Sequence, residues 1–117
     1  MNLLITGACG FIGYHLAKRL LKQDHIVYGI DNFNNFYDPS LKHARNKNLV
    51  KFKNYHPIEM DISDPYYGLG DWVLFDGVIH LAAYAGVRNN NPDPYIMTNI
   101  VGFHNILKYV KDKRISR

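Results

Sequence analysis

Cysteine is nearly missing from this 117-residue chain: Cys9 stands alone. No disulfide can close within one molecule, and a reducing cytoplasm is the expected home. No apolar run approaches the roughly 20 residues that span a bilayer. The start lacks a charged segment followed by a greasy stretch and a small-residue cleavage site, so no secretory signal is read there and the N-terminus is expected to be a genuine start. Repeats, low-complexity tracts and linkers are absent as well, which leaves one domain at most. Zinc-type Cys/His spacing is missing and no metal site is expected. A net charge of +4 is accompanied by a basic run (Lys42, His43, Arg45, Lys47, Lys51, Lys53). With no aromatic–basic repeat beside it, that run reads as a solvated helix face and loop, and nucleic acid is disfavoured as a partner.

What is present is a packed-core composition, 47% hydrophobic, in segments of alternating type. Residues 2–6 form a short apolar run stopped by Gly7, as in a buried parallel strand. From Gly10 to Gln23 the pattern turns helical, with Ile12, Leu16 and Leu20 four apart and Lys18, Arg19 and Lys22 on the other face. His25 to Ile30 is a second strand ending at Asp31. Residues 32–39 are loop-forming, and Ser40 is expected to cap a short helix through Asn48. Tyr55–Met60 and Phe75–Ala82 read as third and fourth strands. The Pro/Gly-bearing stretch 64–74 is poor helix material between them. A long helix is expected from Pro92 to Asp112, with Ile96, Ile100, Phe103, Leu107 and Val110 as one apolar stripe. Gly102 inside it costs up to about 1 kcal/mol relative to Ala, which close packing would explain. The fold class is therefore α/β: a Rossmann-type parallel sheet with helices on both faces, incomplete at about four strands, in the order 3-2-1-4.

The turn after the first strand, Thr6-Gly7-Ala8-Cys9-Gly10-Phe11-Ile12-Gly13, spaces its glycines G-x-x-G-x-x-G. Gly7 permits the tight turn, Gly10 clears room for a pyrophosphate, and Gly13 lets helix pack on strand. Amides and dipole at the helix start favour the phosphate charge. Asp31 follows close to the expected offset of about 20 residues. A carboxylate there accepts both hydroxyls of an adenosine ribose and repels a 2′-phosphate, which argues for NAD over NADP. The plainer alternative is a set of glycines that only turn the chain and a surface aspartate at a strand end.

These segments, with Asp31-Asn32-Phe33, Tyr37-Asp38-Pro39, Asp61-Ile62 and His80 through Asn99, resemble the extended short-chain dehydrogenase/reductase family in its NAD-dependent epimerase/dehydratase branch. Asp31 through Asp38 and His80 through Arg88 are most similar to the UDP-glucuronate 4-epimerase type. The resemblance implies cofactor contacts at Gly7, Ala8, Cys9, Gly10, Phe11, Ile12, Gly13, Asp31 and Asn32. It also implies Asp61 and Ile62 beside the adenine, Leu81, Ala82 and Ala83 along the cofactor's centre, and Asn99 tying the long helix to the sheet. Asp61 as a strand-end cap and Asn99 as an ordinary helix polar residue remain open. Arg88, in a loop past a strand's carboxyl end, is a candidate for an acidic sugar nucleotide, with a solvated arginine as its alternative. Tyr84 departs from the smaller polar residue usual in this subgroup.

The family moves a hydride between the sugar's C4 and NAD with a tyrosine and a lysine four residues on, located on and after a fifth strand. Arg114-Ile115 is read as the start of that strand, so residues 1–117 are expected to be the N-terminal part of the NAD-binding domain, with the catalytic part absent. The fourth strand is then expected to be an open apolar edge. Tyr14/Lys18 and Tyr109/Lys113 have the right spacing, but such pairs arise by chance in a chain with 9 tyrosines; neither is assigned catalysis, and no residue is. The expected reading is an NAD-binding portion of a nucleotide-sugar epimerase, inactive alone, with pairing of two copies through the 92–112 helix. A non-catalytic NAD-binding module acting through a partner, and the cofactor half of a sugar 4,6-dehydratase, share the same cofactor half.

Overall fold

A computed structural model describes residues 1–64, 73–86 and 89–117. The elements are β1 (Asn2–Thr6), α1 (Phe11–Leu21), β2 (Ile26–Asp31), α2 (Pro39–Leu49), β3 (Tyr55–Glu59) and β4 (Gly77–His80). A helical run follows: one turn, α3 (Asp93–Tyr95), then a π-helical stretch (Ile96–Gly102), then α4 (Phe103–Asp112). The strands pair in parallel in the order β3-β2-β1-β4. This is the expected doubly wound α/β arrangement, in which right-handed crossovers place β2 and β4 on either side of β1.

Side chains alternate across a strand, so neighbouring residues of β1 enter different cores. Leu4 joins Ile30, Ile62, Phe75, Ile106 and Tyr109 beneath α4. Ile5 joins Ala17, Leu21, Val27, Leu49 and Tyr55 beneath α1 and α2. Both Leu4 and Ile5 have 0% exposure, which is why this strand reads as an unbroken apolar run. In register, Thr6 lies between Ile30 and His80. The carboxyl ends of three strands thus form one edge, and the site lies there.

Four expectations are corrected. Asp38, not Ser40, caps α2: its carboxylate accepts from the Ser40 amide at 2.9 Å, and Pro39 occupies the first turn. Pro39 lacks an N–H and has its φ preset, so the helix begins two residues earlier than expected at no loss. The long helix is not uniform but widens over Ile96–Gly102. Its core-facing side is also different. Gly102, Ile106 and Tyr109 are buried, whereas Ile96, Ile100, Phe103 and Leu107 are 44%, 62%, 44% and 51% exposed. This helix is apolar around more than half its girth, so periodicity alone does not say which face goes inward. Gly102 decides it: a Cβ there would stand 2.7 Å from Ile62 Cγ1, so only the glycine side allows the helix so near the sheet. Finally, β4 is shorter than the expected Phe75–Ala82, and its outer side is partly covered, since the Val78 amide donates to the Arg117 carbonyl at 2.9 Å. Of the segment 64–74, residues 65–72 lie outside the described residues.

Candidate cofactor-binding site

A cavity of about 400 Å³ opens at the carboxyl ends of β1, β2 and β4, the position where open α/β sheets hold ligands and a volume within the range of small-molecule sites. Gly7, Gly10, Phe11, Asp31, Asn32, Ile62, Leu81, Ala82 and Ala83 line it, so nine of the expected residues meet there. Ala8, Cys9, Ile12, Gly13, Asp61 and Asn99 do not line it. Arg88 lies outside the described residues.

The glycine turn explains the cavity's floor. Gly7 has φ +71, and a Cβ on it would come within 2.9 Å of the Ala82 amide nitrogen. A side chain is excluded on both counts, and the turn presses against the end of β4. At Gly13 a Cβ would strike the Gly7 carbonyl oxygen, so α1 sits directly on the turn. Gly10 precedes α1, which has neither a side-chain cap nor an acidic residue in its first turn. The first amides of a helix have no partner within it. Here the Gly10 amide donates to the Gly7 carbonyl at 3.0 Å, and the helix begins beside the cavity at Phe11, a setting that suits a phosphate.

Asp31, 4% exposed, faces the other side. Its Oδ2 accepts from the Cys9 amide at 3.0 Å, and its Oδ1 from the Phe33 amide at 3.0 Å and from Lys42 Nζ at 2.9 Å. The first bond ties the end of β2 to the glycine turn; the last ties it to α2. Lys42 also reaches Asn34 Oδ1 at 3.1 Å, and Arg45 Nη1 donates to the Cys9 carbonyl at 3.1 Å. Both cations line the cavity. Sequence reasoning placed them in a solvated basic run; the readable signal was their i, i+3 spacing, which sets both on one helix face.

Asp61 does not line the cavity. Its Oδ2 accepts from Asn32 Nδ2 at 2.9 Å and its Oδ1 from the Ser63 amide and hydroxyl at 2.9 and 2.7 Å. Burial raises the pKa of this carboxyl, but the Ser63 amide, Asn32 and the Ser63 hydroxyl outweigh it and hold the group below its ordinary value. Its neighbour Ile62 reaches the cavity instead. Asn99, in the π-helical stretch, holds both backbone groups of Tyr84: Oδ1 accepts from the amide at 2.8 Å and Nδ2 donates to the carbonyl at 3.1 Å. Phe36 also lines the cavity and packs against Gly86, where φ is +99 and a Cβ would lie 2.8 Å from Phe36 Cζ. The loop after β2 and the loop after β4 therefore meet across the cavity.

None of the Tyr-x-x-x-Lys residues lines it. Lys18 Nζ lies 5.7 Å from the centre of the Tyr14 ring on α1, and Tyr109 is buried in the core. Among the described residues, no three His, Cys, Asp or Glu side chains gather as metal ligands. No helix among them is long and apolar enough to cross a membrane.

The family model described as GDP-mannose 4,6 dehydratase matches residues 4–117. UDP-glucuronate 4-epimerase 1 of Arabidopsis thaliana is 44% identical over 115 residues, which are 95% of this chain and 27% of that protein. The chain thus spans about a quarter of that relative. The crystal structure of UDP-glucuronic acid 4-epimerase from Bacillus cereus in complex with NAD superposes with a TM-score of 0.86 at 33% identity, covering 100% of this chain and 38% of that one. The dTDP-glucose 4,6-dehydratase DesIV of Streptomyces venezuelae shares the fold with a TM-score of 0.85 at 23% identity, covering 100% of this chain and 38% of that one. On the family match across nearly its whole length, this chain belongs to the GDP-mannose 4,6-dehydratase family, within the epimerase/dehydratase branch of the short-chain dehydrogenases/reductases.

Proposed function

We propose that this chain is the cofactor-holding portion of an NAD-dependent nucleotide-sugar epimerase of the UDP-glucuronate 4-epimerase type, and that residues 1–117 form the N-terminal part of its dinucleotide-binding domain. The observation that carries this reading is a single cavity with the start of α1 at Phe11, which has no side-chain cap, on one side and the Asp31 carboxylate on the other. The amides and helix dipole take the pyrophosphate. Asp31 Oδ2, with the Cys9 amide as its one donor, retains a lone pair for a ribose hydroxyl. Ile62 packs on the adenine, and Leu81, Ala82 and Ala83 flank the cofactor's centre. Asn99 holds the Tyr84 segment in place for that wall. Arg88 is assigned to the anionic part of the sugar nucleotide on its sequence position. The Bacillus cereus relative, crystallised with NAD, supports the cofactor assignment.

Bound NAD supplies a hydride acceptor and donor; this chain's residues bind and orient it. Neither Tyr-x-x-x-Lys pair, Tyr14/Lys18 or Tyr109/Lys113, lines the cavity, so the chain alone is proposed not to turn over a sugar nucleotide. The same reading places it in the cytoplasm and pairs two copies through the 92–112 helix. A non-catalytic NAD-binding module working through a partner is the second reading, favoured by the exposed Ile96, Ile100, Phe103 and Leu107. A sugar 4,6-dehydratase would share the same cofactor half.

Calorimetric titration of the folded chain with NAD tests the cofactor assignment. Saturable binding supports it, and a folded chain that releases no heat overturns it. Turnover of UDP-glucuronate by the purified chain would overturn the claim of inactivity.

A further inference from the structure

Gly102, Asn105, Ile106 and Tyr109 follow one another at helical spacing across the π-helical stretch and α4. Gly102, Ile106 and Tyr109 are buried; Asn105 is the member of this stripe that carries an amide. Its Nδ2 donates to the carbonyls of Ile62 at 3.0 Å, Ser63 at 3.2 Å and Asp64 at 3.4 Å. A side-chain amide has two protons to give, so at least one of them is shared between neighbouring carbonyls. Three consecutive carbonyls of the turn after β3 thus converge on one side chain of α4. The turn is held at successive peptide planes and cannot rotate about a single bond.

The other side of that turn meets the cavity. Ile62 lines it, and so does Asn32, which donates to Asp61 Oδ2 at 2.9 Å. Asp61 Oδ1 in turn accepts from the Ser63 amide and hydroxyl. The turn is therefore fastened to α4 on one side and to the loop after β2 on the other. One backbone group in it is left over: among the described residues no acceptor meets the Ile62 amide. Ile62 is 3% exposed, and a buried N–H rarely goes without a partner. An open N–H beside a ligand cavity suits a ring nitrogen that presents a lone pair.

We propose that Asn105 is a positioning residue for purine selection: by holding the Ile62, Ser63 and Asp64 carbonyls it fixes the Ile62 amide in the direction that reads the purine's N1. This rests on the reading of the cavity as a dinucleotide site with the adenine at Ile62. Asn105 does not line the cavity, so it acts through the backbone at Ile62 and touches no ligand atom. Adenine N1 accepts a hydrogen bond, whereas N1 of hypoxanthine carries a proton. A donor fixed in place pairs with the first and opposes the second, leaving two N–H groups unsatisfied. A donor free to swing discriminates little between them.

The test is calorimetric titration of the chain with NAD and with nicotinamide hypoxanthine dinucleotide, repeated on Asn105→Ala and Asn105→Gln. The parent is expected to prefer NAD by at least about tenfold. Asn105→Ala should reduce that preference to about threefold or less, chiefly by weakening NAD. Asn105→Gln keeps the donor and should retain more of the preference than Asn105→Ala. A merely structural role would weaken both dinucleotides alike and leave their ratio where it was. A parent without preference, or an unchanged ratio in Asn105→Ala, would overturn the inference and leave the cofactor reading intact. Where Asn105→Ala does not fold, the parent decides: the Ile62 amide proton should move downfield in NMR on addition of AMP but not of inosine monophosphate, and no such difference overturns the inference. A folded chain that binds neither dinucleotide overturns both readings.

Discussion

The hydroxyl of Thr6 and the ring of His80 face each other across paired strands, with Oγ1 and Nδ1 2.7 Å apart. The same Oγ1 accepts from the amides of Leu81 and Ala82, each at 3.1 Å. Two acceptor positions are therefore filled, and the one hydroxyl proton goes to His80. That makes Nδ1 the acceptor and leaves the proton of a neutral ring on Nε2. Thr6 has 0% exposure and so pins the backbone of the cavity wall at Leu81–Ala82 to the end of β1.

Thr6→Val keeps the shape and removes the oxygen. The Leu81 amide retains the Thr6 carbonyl as a second acceptor, but the Ala82 amide and His80 Nδ1 lose their partner. The expected loss is about 1–3 kcal/mol, the penalty for an orphaned buried polar group. In thermal unfolding this lowers Tm by roughly 5–20 °C. Thr6→Ser, which keeps the oxygen, should lose clearly less.

Burial lowers the pKa of His80 from its ordinary value, and a hydroxyl donating to Nδ1 acts in the same direction by favouring the neutral ring. A group whose folded pKa is depressed contributes stability above its unfolded value, near 6.5, and loses it as pH falls through the folded value. The denaturant midpoint should accordingly fall between pH 7 and pH 5. His80 should titrate below 6.5 by NMR; a value above it would contradict the tautomer assigned here.

Gly102→Ala should cost about 1–3 kcal/mol, because the added methyl overlaps the Ile62 side chain. Ile62 is 3% exposed and would be 2.7–2.8 Å from that methyl. In an Ile62→Ala background the methyl enters vacated space. A double-mutant cycle should therefore show coupling of at least about 1 kcal/mol. Additive losses would mean that Gly102 acts through backbone flexibility alone.

Ile106 and Leu107 are adjacent but have opposite environments, 3% against 51% exposed. Ile106→Ala should cost about 2–4 kcal/mol through lost burial and a cavity. Leu107→Ala should stay within about 0.5 kcal/mol in the monomer. The reverse ranking in chemical denaturation would restore the face expected from periodicity.

Cys9 should be inert in the folded chain. Burial, and then the charge of Asp31, push its thiol up to about 12, and the thiolate is the reactive form. Iodoacetamide at pH 8 should leave the native protein unmodified and alkylate it fully in denaturant. Rapid native labelling would show that the glycine turn opens.

Much of the site was legible because it depends on local chemistry. The glycine spacing, the acid at the end of β2 and the small residues after β4 all follow from what a chain must do to turn beneath a phosphate, and they line the cavity. Lys42, Arg45, Phe36 and Thr98 also line it, and they were not selected. A basic helix face looks the same in sequence whether it meets water or a cavity wall, and an aromatic in a loop carries no address. Asp61 was selected for its type and position; it does not line the cavity, and its oxygens accept from Asn32 and Ser63.

The order of strands and helices, the parallel pairing and the glycine turn were set by patterns a few residues long, since hydrophobic period, turn chemistry and crossover handedness act locally. The inward face of α4, the pairing of Asp31 with Lys42 and the bond from Thr6 to His80 were settled only by folding. Each joins groups distant in the chain, and its energy depends on a separation that spacing along the chain does not specify. Gly102 beside Ile62, Lys42 beside Asp31 and Thr6 beside His80 exist as contacts once the sheet has brought their elements together, and steric fit and satisfied polar atoms then select among faces that the sequence alone leaves equivalent.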